Sequence, residues 1–340
     1  MKHNYIIPIF VPHKGCPNQC IFCNQKKISG QIKDLTTDDV RKIIDEYLEI
    51  NNNIDYSNIE VAFYGGSFTG IEYEKQIELL KVANEYIKNK KINSIRLSTR
   101  PDYINQEILD YLKKYGVRLI ELGVQSMNNE VLNRALRGHT SQDVINASKL
   151  IKKNGILLGL QMMVGLPESN EEKEIQTAKE FIKLKPYCVR IYPVLVIKDT
   201  PLEEEYYNGI YQACDLEKAI KISAKLFQMF EKENIIVIRM GLQTTDNINE
   251  GRDVVAGPFH PAFGELVSQY IRFLEIEEYI KNNDLRSKDL IIKCNNKEIS
   301  KIIGNKKENI LKIKSRYDIN VKVQIDNNIG ENQYIIENKE

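Results

Sequence analysis

Short apolar runs bounded by turn residues alternate with longer stretches of helical spacing over the first two thirds of the chain. Runs at 5–11 (YIIPIFV), 60–64 (EVAFY), 94–98, 117–123, 156–163 and 189–193 read as strands. They are apolar nearly throughout, the pattern of parallel strands covered on both faces. Helical stretches lie between them at 37–50, 73–90, 104–115, 141–154 and 172–184. In the first of these Val40, Ile43, Ile44, Tyr47 and Leu48 recur at helical spacing, and Thr37 is placed to cap it. Six strand–helix units predict an α/β fold, a partial (β/α)6 TIM-type barrel. Functional residues in such a barrel gather at the C-terminal ends of the strands and in the loops that follow.

Residues 200–285 read as helical with one further strand at 235–240, and 251–265 as a Gly/Pro-rich loop carrying His260 at the barrel mouth. The last segment changes character. A strand at 289–294, two helices flanking Ile302-Ile303-Gly304-Asn305-Lys306-Lys307, and a strand at 318–325 outline a small α+β unit. The expected organisation is a barrel with its extension at 1–245, a helical connector at 246–285 and a separate basic domain at 286–340.

Charge sharpens that division. The net charge of +1 excludes a basic tail or an acidic solvating chain as a description of the whole. Residues 281–326, however, carry 12 Lys and Arg against 6 Asp and Glu, so a local +6 is set against −5 elsewhere. Lysine is abundant along the whole chain, which weakens any single lysine run as a sign of a polyanionic partner. No apolar stretch approaches 18 residues, so no membrane association is expected. MKHNYIIPIF is followed by no small-residue cleavage site. Of six cysteines, three fall within eight residues and three are scattered, which is no disulfide framework. Reduced thiols fit a cytoplasmic setting.

The clustered cysteines follow the first strand as Cys16, Cys20 and Cys23, in the spacing C-x3-C-x2-C. Three thiolates on so short a loop can surround one metal centre, and soft sulfur favours zinc or an iron–sulfur cluster. A closed zinc site wants a fourth ligand, for which His13 is the neighbouring candidate. Three thiolates on a four-iron cluster would instead leave one iron open to a small molecule. Further along, Tyr64-Gly65-Gly66-Ser67 ends the second strand, Gly123-Val124-Gln125-Ser126 the fourth, and Gln161 to Pro167 the fifth. Paired glycines at a strand end let backbone approach a ligand closely.

In this order the motifs resemble the radical S-adenosylmethionine superfamily. The resemblance implies that Cys16, Cys20 and Cys23 hold a [4Fe–4S] cluster whose fourth iron binds S-adenosylmethionine, cleaved by electron transfer to a 5′-deoxyadenosyl radical. It implies cofactor contacts from Phe22 to adenine, from Gly65, Gly66 and Ser67 to the methionyl amino group, and from Gln125, Arg137 and Gln161 to ribose and carboxylate. Ser98 occupies a third-strand position that is Glu in some relatives, with Arg100 beside it. A flavodoxin or ferredoxin would supply electrons.

The segment Arg190 to Thr200, with IVIRMGLQ at 236–243, resembles the catalytic subunit of Elongator more closely than the superfamily at large. This branch resemblance covers residues 5–245 and places Tyr192 and Lys198 near the substrate cavity as candidate catalytic residues. About 95 residues follow position 245 and do not read as an acetyl-CoA fold, so acetyl transfer is not expected of them. The terminal unit resembles a KH RNA-binding fold, with Gly304, Asn305, Lys306 and Lys307 at the loop that clamps a nucleic-acid backbone. Lys307 stands where that loop has its second glycine. The expected function is modification of a tRNA or rRNA base. The alternatives are a small-molecule enzyme of the coproporphyrinogen-oxidase type and a metal-containing RNA-binding protein without catalysis.

Overall fold

The structure is a computed structural model and describes residues 5–11, 20–24, 34–51, 53–242, 252–285 and 289–338. Its strands are β1 (Tyr5–Val11), β2 (Ile59–Gly65), β3 (Ser94–Thr99), β4 (Val117–Gln125), β5 (Leu157–Val164), β6 (Cys188–Pro193), β7 (Val196–Ile197), β8 (Ile236–Met240), β9 (Val254–Ala256), β10 (Leu290–Cys294), β11 (Val321–Ile325) and β12 (Tyr334–Asn338). The helices are α1 (Thr37–Ile50), α2 (Tyr73–Lys88), α3 (Gln106–Lys114), α4 (Asn129–Arg134), α5 (Ser141–Lys153), α6 (Glu171–Leu184), α7 (Pro201–Tyr207), α8 (Leu216–Lys232), α9 (Phe263–Asn282), α10 (Ile299–Ile303) and α11 (Glu308–Tyr317). Two compact units divide the chain, Met1–Asp215 with Gln228–Phe259, and Leu216–Phe227 with His260–Glu340.

The first unit is a curled half-barrel of seven strands in the order β1-β2-β3-β4-β5-β6-β8, every neighbouring pair parallel. This adds one strand to the six expected. Residues 236–240 complete the sheet by pairing with β6, and do not stand apart in a helical region. Burial along β1 shows how each strand divides its side chains. Ile7, Ile9 and Val11 are buried beneath the helical layer, while Pro8 and Phe10 alternate with them and face a cavity. Helix α1 has the range expected of it, but its cap is one residue earlier than Thr37. Thr36 is its cap, accepting from Asp39 N at 3.1 Å while Asp39 accepts from Thr36 N at 2.8 Å.

The second unit has a three-stranded sheet in the order β11-β10-β12, with β10 parallel to β11 and antiparallel to β12. Strand β12 has no counterpart in the elements read from sequence. Helix α9 falls in the segment expected to be a connector. It supplies Phe273, Ile276 and Ile280 to the same core as Leu290, Ile292, Ile302 and Ile313.

Candidate active site

The strand ends of the half-barrel converge on a cavity of about 620 Å³. That falls within the range of small-molecule sites. Phe22, Cys20 and Cys23 line it from the loop after β1; Gly65, Gly66 and Ser67 from the end of β2; Ser98 and Arg100 from β3. Gln125 and Arg137 line it from β4 and the segment beyond, Gln161 from β5 and Tyr192 from β6. Cys16 lies outside the described residues. Lys198 does not reach the cavity. The chain leaves β6 into β7, which pairs with β9, and Lys198 follows, exposed, with its N–H on Asp253 O at 2.9 Å.

Gly65 is required where it stands. Its φ is +107°, and a Cβ there would lie 2.6 Å from the Val11 carbonyl oxygen, the register partner on β1. Arg137 donates from Nη1 to Cys20 Sγ at 3.1 Å, and from Nη2 to Gly123 O. The contact places a guanidinium directly beside one of the predicted cluster ligands. Arg100 is held by Asp102 through two bonds of 2.9 Å and reaches the Arg137 carbonyl. Gln161 donates to Gln125 Oε1 at 3.3 Å, so the two amides form one polar edge.

Deeper in the cavity is a buried charge network that the motifs did not signal. Glu121 receives Arg190 through Nε and, at 3.2 Å, through Nη2, and it accepts from the Tyr64 hydroxyl at 3.2 Å. Arg190 also donates to Tyr64 at 2.7 Å and to Tyr192 at 3.1 Å. Arg96 lies 3.6 Å from Glu121 and 3.0 Å from Glu60. Burial opposes the charge on Arg190, but Glu121, Tyr192 and Tyr64 together hold it well above its ordinary value. Burial, then Glu121, pushes the Tyr64 hydroxyl up to about 12. The sequence signal was available: Glu60, Arg96, Glu121 and Arg190 are charged residues inside otherwise apolar strands.

His139 is 2% exposed, and burial, then Arg137 and Arg100, lower its pKa from 6.5 to about 4. Between those two values the unfolded chain binds a proton that the folded chain does not, so stability rises with pH across the window. The contribution is complete above pH 6.5 and lost as pH falls toward 4, about 3 kcal/mol in full. Denaturant unfolding near neutrality and at the acid end of this window should show a smaller acid loss in His139→Gln than in the parent.

The residues fit the cluster and nucleoside cofactor that the motifs imply. Thiols, buried guanidinium groups for a carboxylate, paired amides for hydroxyls and a side-chain-free approach at Gly65 line one cavity. Comparison with known proteins agrees. Residues 10–181 match the radical SAM superfamily and 186–272 the Radical_SAM C-terminal domain. An uncharacterised protein of Methanocaldococcus jannaschii is 32% identical over 217 residues, which cover 61% of this chain and 66% of that one. The tRNA uridine(34) acetyltransferase of the same organism is 29% identical over 255 residues, 64% of this chain and 47% of that protein. The structure of the archaeal Methanocaldococcus infernus Elp3 with an N-terminal deletion matches with a TM-score of 0.60 at 25% identity, over 84% of this chain and 65% of that one. The chain thus spans between about half and two thirds of the length of these relatives. Motifs, half-barrel and relatives agree that the chain belongs to the radical SAM superfamily, in an Elp3-like branch, with a [4Fe–4S] cluster and S-adenosylmethionine as its cofactors.

Proposed function

We propose that this chain is a radical enzyme that modifies a base of tRNA. The observation that carries the reading is the convergence of Cys20, Cys23 and every described cofactor-contact residue chosen from sequence on one cavity. Cluster and S-adenosylmethionine, when bound, supply a radical able to abstract hydrogen from an unactivated carbon, under an electron from a low-potential donor. The protein's own part is to hold and shield. Arg137 and Arg100 present buried positive charge for a carboxylate, and Gln125 with Gln161 presents amides for hydroxyls. Tyr192 accepts from Arg190, and its O–H is a donor that a substrate acceptor such as a base carbonyl could use.

Two facts support RNA as the substrate. One relative's name includes tRNA uridine(34). Residues 281–326 of the second unit carry the local charge of +6, and between α10 and α11 stand exposed Lys306 and Lys307 with φ of 50° and 65°. The loop is anchored from below, with Asn305 N on Gln269 Oε1 at 2.9 Å and Asn309 Nδ2 on Gln269 O at 2.9 Å. Such a loop suits a phosphate backbone in the manner of a KH module. The acetyl transfer in the relative's name is not carried over, because this chain spans 47% of that protein.

Nucleoside mass spectrometry of RNA from a strain lacking the gene tests the function. One modification should be missing, restored by the wild-type gene and not by Cys20→Ala. An unchanged nucleoside profile would refute the RNA assignment. Replacing Lys306 and Lys307 together by alanine should weaken tRNA binding. It should also lower the slope of log affinity against log salt by about 1 to 2, since each phosphate contact contributes about 0.9. Filter binding across a salt series reads both.

A further inference from the structure

Strand β4 does not end as a regular strand. Gly123 is opposite Gln161 of β5, and Gln125 is opposite Met162, so Val124 is an extra residue in a β-bulge. Met162 is fully buried, on the side of the sheet away from the cavity, whereas Gln161 lines the cavity. By register alone Gln125 would therefore turn its side chain away from the cavity. It lines the cavity instead because its backbone is left-handed, with φ +74°. For a residue with a side chain that conformation is strained and persists only where the surroundings impose it. Bulges beside active sites commonly serve to re-aim a side chain.

Two neighbouring side chains hold this bulge. Arg137 takes the Gly123 carbonyl, and His139, two residues on, takes the Val124 carbonyl from Nε2 at 3.2 Å. Because that carbonyl can only accept, Nε2 carries the proton. Nδ1 is buried with no hydrogen-bond partner among the described residues, as suits an unprotonated nitrogen. His139 does not line the cavity, so its route to a ligand runs through the backbone of 124–125.

We propose that His139 is a positioning residue for S-adenosylmethionine: its neutral imidazole clips the Val124 carbonyl and so keeps the left-handed Gln125 amide aimed into the cofactor cavity. The inference rests on the cavity being the S-adenosylmethionine site and is independent of what the substrate is. A neutral ring is what the place allows, since Arg137 and Arg100 already bring two positive charges beside it, with Asp102 facing Arg100. Arg137 also touches Cys20, so one segment, 137–139, steadies both a cluster ligand and the Gln125 amide.

The test uses anaerobically reconstituted full-length protein, with S-adenosylmethionine binding measured by equilibrium dialysis and iron and sulfide assayed alongside. His139→Leu should weaken binding by about tenfold, the fold-change that losing one ordinary hydrogen bond gives. Iron and sulfide should stay at wild-type levels. His139→Gln, which keeps an uncharged N–H donor, should bind within about threefold of wild type. The decisive comparison is a double-mutant cycle. If His139 acts through Gln125, adding H139L to Q125A should cost no further affinity. Wild-type affinity in H139L, or independent addition of the two effects, overturns the proposal. Should H139L fail to fold, Gln125→Gly supplies a background in which φ +74° is unstrained. H139L should fold there, and failure to do so also overturns it. Absence of binding by the wild type would instead refute the cofactor site itself.

Discussion

Cys20→Ala protein, purified without oxygen, should carry iron and sulfide at background levels and form no 5′-deoxyadenosine from S-adenosylmethionine. Among the described residues no other group of three His, Cys, Asp or Glu side chains could hold a metal ion. Cys20 is 2% exposed and its sulfur lies 3.1 Å from the Arg137 guanidinium, on the lining of the cavity. The loss should not come from a collapsed loop. Backbone bonds hold the segment independently of the sulfur: Ile21 N to Ala135 O at 3.2 Å, Cys23 N to Cys20 O at 2.9 Å, and Leu202 N to Ile21 O at 3.0 Å. The apoprotein's melting temperature should therefore stay near that of wild-type apoprotein. Cys188→Ala is the contrasting variant. Burial, then Glu121, pushes the Cys188 thiol up to about 12, and Cys188 does not line the cavity. Its replacement should leave iron and sulfide unchanged, and full cluster loading of Cys20→Ala would refute the ligand assignment.

The parts of the site that can be read from sequence are those carried by contiguous residues. The cysteine spacing, Gly65-Gly66-Ser67 and Gly123 to Gln125 each occupy a few consecutive positions at a strand end. Six of the seven sheet strands are similarly plain, because parallel strands covered on both faces are apolar nearly throughout. Strand β8 was visible as a strand but not as a neighbour of β6, since nothing within IVIRM names its partner. The β4 bulge was hidden for a different reason. One inserted residue leaves the apolar pattern intact while changing which β5 residue stands opposite Gln125, and the left-handed backbone that keeps Gln125 on the cavity has no sequence mark. Lys198 marks the opposite limit: it belongs to a matching segment, yet the β7–β9 pairing carries it away from the cavity. The charge network is intermediate, with its members visible one by one but their meeting set by register across β2, β3, β4 and β6.

That network makes Glu121→Ala the most destabilising change expected outside the cluster loop. Glu121 is 3% exposed and bears on two buried guanidinium groups, Arg190 and Arg96. Arg96 keeps Glu60 at 3.0 Å as a counter-charge, but among the described residues Arg190 would keep the hydroxyls of Tyr64 and Tyr192 and no carboxylate. Breaking a buried pair from one side costs about 3–5 kcal/mol, because a charge is left without compensation. For a unit of this size that corresponds to a fall of roughly 10 °C in melting temperature. Glu121→Gln retains the shape and one acceptor, so it should lose less, and the difference isolates the charge. Removing the stranded cation as well, in Glu121→Leu with Arg190→Leu, should recover part of the loss. Function should follow a separate course. The Arg190 guanidinium positions the Tyr192 hydroxyl in the cavity at 3.1 Å, while the cofactor-facing residues Gln125, Arg137 and Gln161 have no bond to it. Arg190→Leu in that double variant should therefore still cleave S-adenosylmethionine but yield less modified substrate per 5′-deoxyadenosine formed, a ratio read by chromatography of a single reaction. Equal loss of both products would place Arg190 with the cofactor and not with the substrate.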